Sequence, residues 1–223
     1  MRTHLGTLPA LALAALLLGS ACKGGGYTYE GQKLSDYFPL YGEPHWEYAL
    51  DGDAEGKQMT VDKNPVTQKD GDRELVTLDY ALSKPSVQLL TSIVWSSDSS
   101  DGVLVHSMTD QLTGTTTTYD PPVIVAEATM TVDDVIETET GGSTFSTTYV
   151  GQEDCPNLWV TDTDEDVWEC VHIKVDDGDG DPNSGPLFAA DWWWAADWGT
   201  SRFLAQGNSG QWILLDADPI IDD

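Results

Sequence analysis

Alternation of apolar and polar residues, repeated in short segments, is the feature that most constrains the fold of this chain. Within His45–Leu50, for example, large apolar residues recur at every second position. Successive side chains of a β-strand point to opposite faces of a sheet, so a period of two predicts a strand with one buried face. Further predicted strands follow at residues 58–62, 74–82, 87–96, 103–108, 115–119, 123–135, 135–140, 143–150, 167–175, 188–194, 202–206 and 211–215. Several of them alternate in the same way, whereas residues 115–119 are predicted as a strand from their β-branched residues.

These segments predict an all-β fold, an antiparallel sheet of about ten to twelve short strands that forms a sandwich or an open or half barrel. Polar turns at residues 97–102 and 141–142 predict hairpins. Pro121 and Pro122 predict a break between two strands, and the break is a candidate domain boundary if the chain is divided. Residues 133–139 are a stretch in which a short helical turn competes with a strand.

The N-terminus has the organisation of a secretory signal peptide. Arg2 gives a positive start, residues 11–18 are an unbroken apolar run, and small residues follow. This run is too short to cross a bilayer, so we expect residues 1–21 to be a helical signal peptide that is removed. We expect residues 22–36, which include three consecutive glycines, to form a flexible tether, and residues 37–223 to form a single β-rich domain.

The end of this segment, LGSAC at residues 18–22, resembles the lipobox of bacterial lipoproteins, with Gly19 where Leu is usual. The resemblance implies that Cys22 receives a diacylglycerol thioether, becomes the new N-terminus and is N-acylated. It also implies sorting to the outer membrane, because Lys23 is a residue other than Asp. An ordinary signal peptide that is cut elsewhere is the alternative.

A second stretch, YFPLYGEPHWEY at residues 37–48, resembles the opening of a loosely defined set of uncharacterised bacterial envelope lipoproteins. These begin with Tyr-Phe-Pro-Leu, a Gly and Trp-x-Tyr after the lipobox. The distance from Leu40 to Trp46 matches, whereas Gly42 comes one residue early. The resemblance implies a curved antiparallel sheet, compared in some relatives with the half-barrels of lipoprotein carriers, and it implies no shared activity.

The chain is strongly acidic. Its 38 Asp and Glu outnumber 10 Lys and Arg, the net charge is −28, and no Lys or Arg occurs between Lys84 and Lys174. Such a surface repels the phosphates of nucleic acid and anionic lipid, so nucleic acid is excluded as a partner. The acidity indicates either a site for divalent cations or a basic partner, or else a solvated shell suited to a salty exterior.

The cysteine count agrees with export. If Cys22 carries the lipid, Cys155 and Cys170 remain, and an even pair in an oxidising compartment predicts a disulfide. Closing this short loop would stabilise the fold by about 3 kcal/mol through the lost entropy of the unfolded chain. Two free buried thiols, or a metal site that includes His172, are the alternatives.

Calcium is the cofactor to consider, because three acidic loops alternate carboxylates with small residues, as oxygen-ligand sites do. The loop DDGDGD at residues 176–181 is the best candidate. Asp and Gly are also the residues that turns prefer, so the alternative is that these loops are turns and no cofactor is bound. The three sets are Asp51, Asp53 and Glu55; Asp162, Asp164 and Asp166; and Asp177, Asp179 and Asp181.

Nine tryptophans are present, and Trp192, Trp193, Trp194 and Trp198 cluster in one segment. On a strand, Trp192 and Trp194 share one face and Trp193 takes the other. Exposed members would form a platform for a sugar ring, a lipid chain or another protein. The alternative is that the rings fill the core, as large aromatic residues do in sheets.

The sequence carries no catalytic signature. The three histidines after the leader, His45, His106 and His172, lie within strand patterns and outside any GxSxG or HExxH motif. We therefore expect a non-enzymatic lipoprotein of the cell envelope, anchored to the membrane by its N-terminal lipid, that binds a hydrophobic or protein ligand. The alternatives are a carbohydrate- or peptidoglycan-binding module and an envelope hydrolase that uses two carboxylates.

Overall fold

Thirteen β-strands and one short 3₁₀-helix make up the regular structure of the described residues. The computed structural model describes residues 33–38, 40–41, 44–51, 56–155, 169–179, 185–195, 199–205 and 212–217. The 3₁₀-helix (Leu34–Tyr37) comes first. The strands are β1 (His45–Leu50), β2 (Gln58–Lys63), β3 (Gln68–Asp70), β4 (Arg73–Lys84), β5 (Gln88–Asp98), β6 (Gly102–Asp110), β7 (Thr115–Ala126), β8 (Val135–Thr140), β9 (Ser143–Asp154), β10 (Glu169–Asp176), β11 (Ala190–Ala195), β12 (Gly199–Ala205) and β13 (Trp212–Ala217).

The strands form an antiparallel arrangement that is not closed into a barrel. Backbone hydrogen bonds join them in the order β7-β6-β5-β4-β2-β1-β13-β12-β11-β10-β9-β8, and β3 pairs with β4 beside this path. Strands β1–β7 form one layer and β8–β13 the other, and the pairing of β1 with β13 connects the two layers. The prediction of an all-β antiparallel fold is confirmed, although the number of strands is slightly higher than expected.

Aromatic rings from both layers fill the space between them. Phe38 lies between Trp95 of β5 and Trp194 of β11, with its ring centroid 4.9 Å from each. Trp95 also meets Trp192 of β11 edge to face at 6.1 Å. All four side chains are buried, and burial of such large apolar surfaces is the main stabilising contribution in a sandwich. The interior is therefore packed, whereas a half barrel would present an open concave face.

The predicted break at Pro121 and Pro122 is wrong, because β7 runs through both residues from Thr115 to Ala126. The pairing of β7 with β6 shifts register beside the prolines, between Val105 and Ser107. Proline is tolerated here because β7 is an end strand, so one of its edges needs no ladder hydrogen bonds. Since β7 pairs with β6 on both sides of the prolines, the chain is not divided at this point.

Of the two alternatives for residues 133–139, the strand is confirmed and the helical turn is not formed. The chain turns between β7 and β8, where Asp133 has a left-handed φ of 69° and the Asp134 carboxylate accepts a 2.7 Å hydrogen bond from Thr131 N. Val135–Thr140 then forms β8 and pairs with β9. The two predicted hairpins are confirmed, since β5 pairs with β6 and β8 with β9 across the expected turns.

The 3₁₀-helix was not expected, because its residues belong to the segment interpreted as tether. Leu34 and Tyr37 are buried, and Leu34 N donates a 3.2 Å hydrogen bond to Ala128 O in the segment after β7. Ser97 Oγ of β5 donates to Ser35 O at 3.3 Å. These contacts hold the helix against the sandwich, and residues 31–223 form one compact unit.

Candidate functional site

The two end strands, β7 and β8, meet along a seam that side chains bridge in place of a backbone ladder. Thr147 Oγ1 donates a 2.6 Å hydrogen bond to Ile124 O, and Ile124 N donates to Thr138 Oγ1 at 3.3 Å. Ile124 lies on β7, whereas Thr138 and Thr147 lie on β8 and β9. Threonine hydroxyls thus pair with backbone groups that a closed barrel would join directly.

A pocket of about 260 Å³ lies beside the bridged part of this seam. Strands β6 to β9 contribute to its walls, together with the segment after β10 and the segment before β11. We call it the seam pocket. Its polar and aromatic lining residues are Thr117, Tyr119, Thr140, Ser143, Phe145, Asp177 and Asp179.

Aromatic rings form one part of the pocket wall. Tyr119 of β7 and Phe145 of β9 meet edge to face, with ring centroids 5.6 Å apart, and Phe188 lies 5.4 Å from both. Burial raises the pKa of Tyr119 to about 12, and the nearby negative charge of Asp177 acts in the same direction. The phenol is therefore neutral at physiological pH, and the rings present an uncharged wall.

A buried carboxylate faces the same space. Asp177, the first residue after β10, has 7% of its surface exposed and lines the pocket. Burial raises the pKa of Asp177, whereas a 3.4 Å hydrogen bond from Asp179 N lowers it. The charge of Asp179, a hydrogen bond with the Asp179 side chain and the charge of Asp176 raise the pKa further. Taking an ionised carboxylate out of water costs free energy unless a partner compensates it, so this position is unusual for a residue that only forms a turn.

Glycine at position 185 allows the chain to pass close to this carboxylate. Gly185 has φ of +113°, which other residues rarely adopt, and an added Cβ would collide with Asp177 Oδ2. Gly178 shows a comparable fit on the other side of the loop, since its Cβ would lie 2.8 Å from Thr144 O. The loop is therefore shaped to hold Asp177 against the β8–β9 hairpin.

Thr140 adds an unsatisfied hydroxyl to the pocket. Its side chain is 5% exposed, and its Oγ1 atom is buried with no hydrogen-bond partner among the residues that the structure describes. Thr138, two residues earlier on the same face of β8, uses its hydroxyl to bridge the seam. Buried hydroxyls in proteins normally have a partner, so Thr140 marks a position where one is missing.

The sequence found only part of this site. The acidic pattern of residues 176–181 identified Asp177 and Asp179 as candidate site residues. It did not identify Tyr119, Thr140 or Phe145. No local pattern would have identified them, because they come from three strands that meet only when the two layers fold together.

Of the nine acidic residues proposed as calcium ligands, only Asp51, Asp177 and Asp179 belong to the described residues. Asp177 and Asp179 line one pocket, whereas Asp181 lies outside the described residues. Within the described ranges, no group of three or more His, Cys, Asp or Glu side chains is placed to hold a metal ion. Of the two other acidic loops, Asp51 is exposed, and Asp53, Glu55 and residues 162–166 lie outside the part of the chain that the structure describes.

An exposed tryptophan platform is not present on the described part of β11. Trp192 and Trp194 point into the core, 1% and 0% exposed, and Trp192 stacks on Phe203 with centroids 5.0 Å apart. Trp193 points to the opposite face and is still only 8% exposed. Both faces of the strand are covered, so the interpretation that these three rings are buried is confirmed, and they do not form an exposed platform. Trp198 lies outside the described residues.

The outer face of β11 is covered by a disulfide and a histidine. Cys155 and Cys170 are joined, as predicted, and link the end of β9 to the start of β10. Trp193 packs against this disulfide, stacks on His172 with centroids 4.2 Å apart, and donates a hydrogen bond from Nε1 to the Glu153 carboxylate. A metal site that uses the two thiols is excluded, because both sulfurs are in the disulfide.

His172 is held between two carboxylates on this outer face. Its Nδ1 lies 3.2 Å from Glu153 Oε1 and its Nε2 lies 3.4 Å from Asp191 Oδ1. With both ring nitrogens paired and one ring face on Trp193, the imidazole serves as a packing element for the tryptophan. It does not line the seam pocket.

The other two histidines do not form a reactive centre with an accessible nucleophile. Ser96 Oγ lies 2.9 Å from His106 Nε2, but Ser96 is fully buried. Burial lowers the pKa of His106 and the positive charge of Arg73 lowers it further, so the imidazole is neutral. A nucleophilic serine must be reachable by its substrate, so the pair is structural.

His45 lies on the outer surface of β1. Its Nδ1 is 2.5 Å from Asp62 Oδ1 on β2, and its Nε2 is 3.6 Å from Glu47 Oε1. Burial acts to lower the pKa of His45, but the hydrogen bond and charge of Asp62, aided by Glu47, raise it overall. The group is a cross-strand surface pair.

A larger pocket of about 610 Å³ lies among the β3–β4 and β5–β6 turns. Its lining consists of five acidic residues, three serines and Arg73. The Nε atom of Arg73 lies 3.7 Å from Asp98 Oδ2, and its guanidinium also pairs with Asp101. Arg73 pairs with two of the five surrounding carboxylates, most of the lining residues are exposed, and no aromatic ring contributes to the walls. We therefore consider the seam pocket the better candidate site.

Cys22 and the rest of residues 1–32 lie outside the described residues. Among the helices that are described, none has the length and apolar character needed to cross a membrane. No protein family matches this chain, and no curated protein or solved structure is significantly similar to it. The function must therefore be inferred from the chemistry of the chain itself.

Proposed function

We propose that the protein is a non-enzymatic lipoprotein of the bacterial outer membrane that binds a ligand in the seam pocket. The observation that carries the binding role is the buried Asp177 carboxylate in a pocket that also contains aromatic rings and an unsatisfied threonine hydroxyl. Such a combination of apolar walls and a few convergent polar groups is typical of ligand sites. The signal-like leader and the lipobox resemblance support the location.

The packed interior makes the seam pocket a better candidate for the binding site than a cavity between the two layers. Phe38, Trp95 and Trp194 occupy the centre of the sandwich, so an acyl chain would have to displace them to enter. The seam pocket needs no such rearrangement. A ligand there lies at the open edge of the sheet, where it is reached from solvent without opening the fold.

The anchor is tested by metabolic labelling with an alkyne fatty acid in a bacterial host, followed by membrane fractionation. The natural sequence is expected to take up label and to sediment with membranes, and Cys22→Ser is expected to lose both. The double variant Cys155→Ser with Cys170→Ser is the control, because it alters cysteines without touching the lipidation position, and it should keep the label. Label that persists in Cys22→Ser would contradict the anchor.

The binding role is tested with the mature protein in detergent micelles. Amines, amino acids, sugars and fatty acids are screened by protein-observed NMR, and binders are expected to shift amides of β8 and of the loop after β10. Thr117→Trp places a large ring in the pocket and should abolish these shifts. Thr115→Trp, on the same strand but outside the pocket lining, should leave them unchanged. If every compound class leaves these amides unshifted, the seam pocket is not a binding site.

A further inference from the structure

We propose that the seam pocket recognises an alkylammonium group, with the Asp177 carboxylate as its counter-ion and the rings of Tyr119 and Phe145 as its walls. This inference rests on the proposed binding role of the pocket and names the chemistry of its ligand. The group has two natural sources, a free amine and a lysine side chain of a protein, and both present the same –CH₂–NH₃⁺ end.

The described lining of the seam pocket has an excess of negative charge. Its described lining holds two carboxylates, Asp177 and Asp179, and no Lys, Arg or His. The nearest Lys in the sequence, Lys174 on β10, is exposed and does not line the pocket. A carboxylate with little water around it is stabilised by an opposite charge, which an ammonium ligand would bring into the pocket.

The aromatic rings that line the pocket also favour a cationic ligand. Aromatic ring faces attract cations within about 6 Å, and most strongly where water is excluded. Tyr119 is 7% exposed and Phe145 is 3% exposed, and both line the pocket. Because the Tyr119 phenol is neutral, the rings favour an alkyl-bearing cation without adding a further negative charge.

The hydroxyl of Thr140 is a second candidate hydrogen-bond acceptor for an ammonium ligand. An ammonium group has three donors and no acceptor, so it needs several oxygens around it. The Asp177 carboxylate provides one acceptor. Thr140 Oγ1 is another, because it is buried and has no partner among the described residues. An ammonium group beside Thr140 would give this hydroxyl the hydrogen bond that it lacks among the described residues.

The size and lining of the pocket favour an organic cation over calcium. A volume of about 260 Å³ corresponds to about nine water molecules at about 30 Å³ each, far more than one bare ion fills. Calcium takes six to eight oxygen ligands, roughly, whereas Met108, Phe145 and Pro186 contribute apolar surface here. An alkyl chain that ends in an ammonium matches this mixture.

The test is a calorimetric titration of the processed protein in detergent micelles, in phosphate buffer, because amine buffers would compete. The probes are n-butylammonium, Nα-acetyl-lysine amide, 1-butanol as the neutral isostere, and calcium chloride. We expect binding of one or both ammonium probes and at least tenfold weaker binding of 1-butanol, since the charge-assisted bond is lost. Tighter binding of the lysine amide than of butylammonium identifies a protein side chain as the source, and the reverse order identifies a free amine.

Variants assign the binding to the pocket. Asp177→Asn keeps the shape and an acceptor for Asp179 N, and should weaken ammonium binding about tenfold or more. Glu139→Gln removes the same charge from an exposed neighbour on β8 and should leave the affinity unchanged. Thr117→Lys, which places an ammonium of the protein itself at the pocket, should also abolish binding, whereas Thr115→Lys should not. The lysine pair keeps the proposal testable if Asp177→Asn does not fold.

Four outcomes would overturn the inference: equal affinity for 1-butanol, unchanged ammonium binding in Asp177→Asn, binding of calcium alone, and no binding of either ammonium probe. The first leaves a neutral-ligand pocket, and the third makes the loop a metal site. In each case the wider screen with Thr117→Trp still decides whether the pocket binds any ligand. The failure of the ammonium inference and the failure of the proposed function are thereby separate results.

Discussion

At the scale of single residues, folding changes the pKa values of the acidic residue Asp177 and the basic residue His45. Both values are raised, but for opposite reasons. Burial disfavours the charged form of Asp177, whereas the carboxylates beside His45 favour its charged form. The two residues should therefore affect stability with opposite signs.

Asp177→Asn is expected to stabilise the ligand-free protein near neutral pH. Because the pKa of Asp177 is raised on folding, its ionised form is less favourable in the folded state than in the unfolded state, and Asn removes this cost. The gain should shrink as pH falls through the raised pKa and vanish below the usual value of 3.8. Scanning calorimetry of both proteins in amine-free buffers from about pH 3 to pH 7 measures it. A loss of stability at neutral pH would mean that the carboxylate is compensated within the fold.

His45→Gln is expected to destabilise the protein mainly at acidic pH. A raised pKa means that protonated His45 stabilises the fold below 6.5, and that this contribution is lost as pH rises through the raised value. The side chains of His45 and Asp62 are 34% and 53% exposed, so the effect should stay below about 1 kcal/mol. Urea unfolding at several pH values measures it, and Asp62→Asn should remove most of the same pH dependence.

At the scale of elements, local alternation was a reliable guide wherever a strand has one buried and one exposed face. The bounds of β1 were predicted because Trp46 and Tyr48 alternate with polar neighbours. The pattern was misleading where position in the sheet decides the outcome. Only the knowledge that β7 is an end strand explains why Pro121 and Pro122 continue it.

The β9–β10–β11 surface shows a second limit of sequence reasoning. The period of β11 placed Trp193 on the opposite face from Trp192 and Trp194, and that placement is correct. The sequence did not show that this face is covered, because the cover comes from His172 and from the disulfide on neighbouring strands. Burial of one residue thus depended on pairing partners that are distant in sequence.

Removal of the disulfide is expected to destabilise the protein and to loosen the packing of Trp193. The bond joins residues 15 positions apart, and a loop of this length is worth about 3 kcal/mol when it is closed. Cys155→Ser with Cys170→Ser should lower the free energy of unfolding in urea by about this amount. It should also alter the near-ultraviolet circular dichroism of the tryptophans. Natural protein reduced with dithiothreitol is the control and should show the same loss, whereas equal stability of all forms would contradict the prediction.

At the scale of the whole molecule, the seam and the core are two consequences of the same incomplete closure. The sheet folds over until its layers pack face to face, but its end strands are bridged by threonine side chains at Ile124 in place of a ladder. The pocket lies near this bridge, where strands β6 to β9 meet the segments after β10 and before β11. The fold class was therefore predictable from local patterns, whereas the pocket required the path of the chain in three dimensions.

Phe38→Ala is expected to destabilise the whole sandwich, because Phe38 contacts Trp95 in one layer and Trp194 in the other. Loss of a fully buried phenylalanine leaves a cavity and typically costs about 3–5 kcal/mol. Urea unfolding should show this loss, and tryptophan emission should shift to longer wavelength as water reaches Trp95 and Trp194. Phe38→Leu fills most of the space and should lose much less. If Phe38→Ala lowered stability no more than Phe38→Leu, the two layers would be held together chiefly by the β1–β13 pairing.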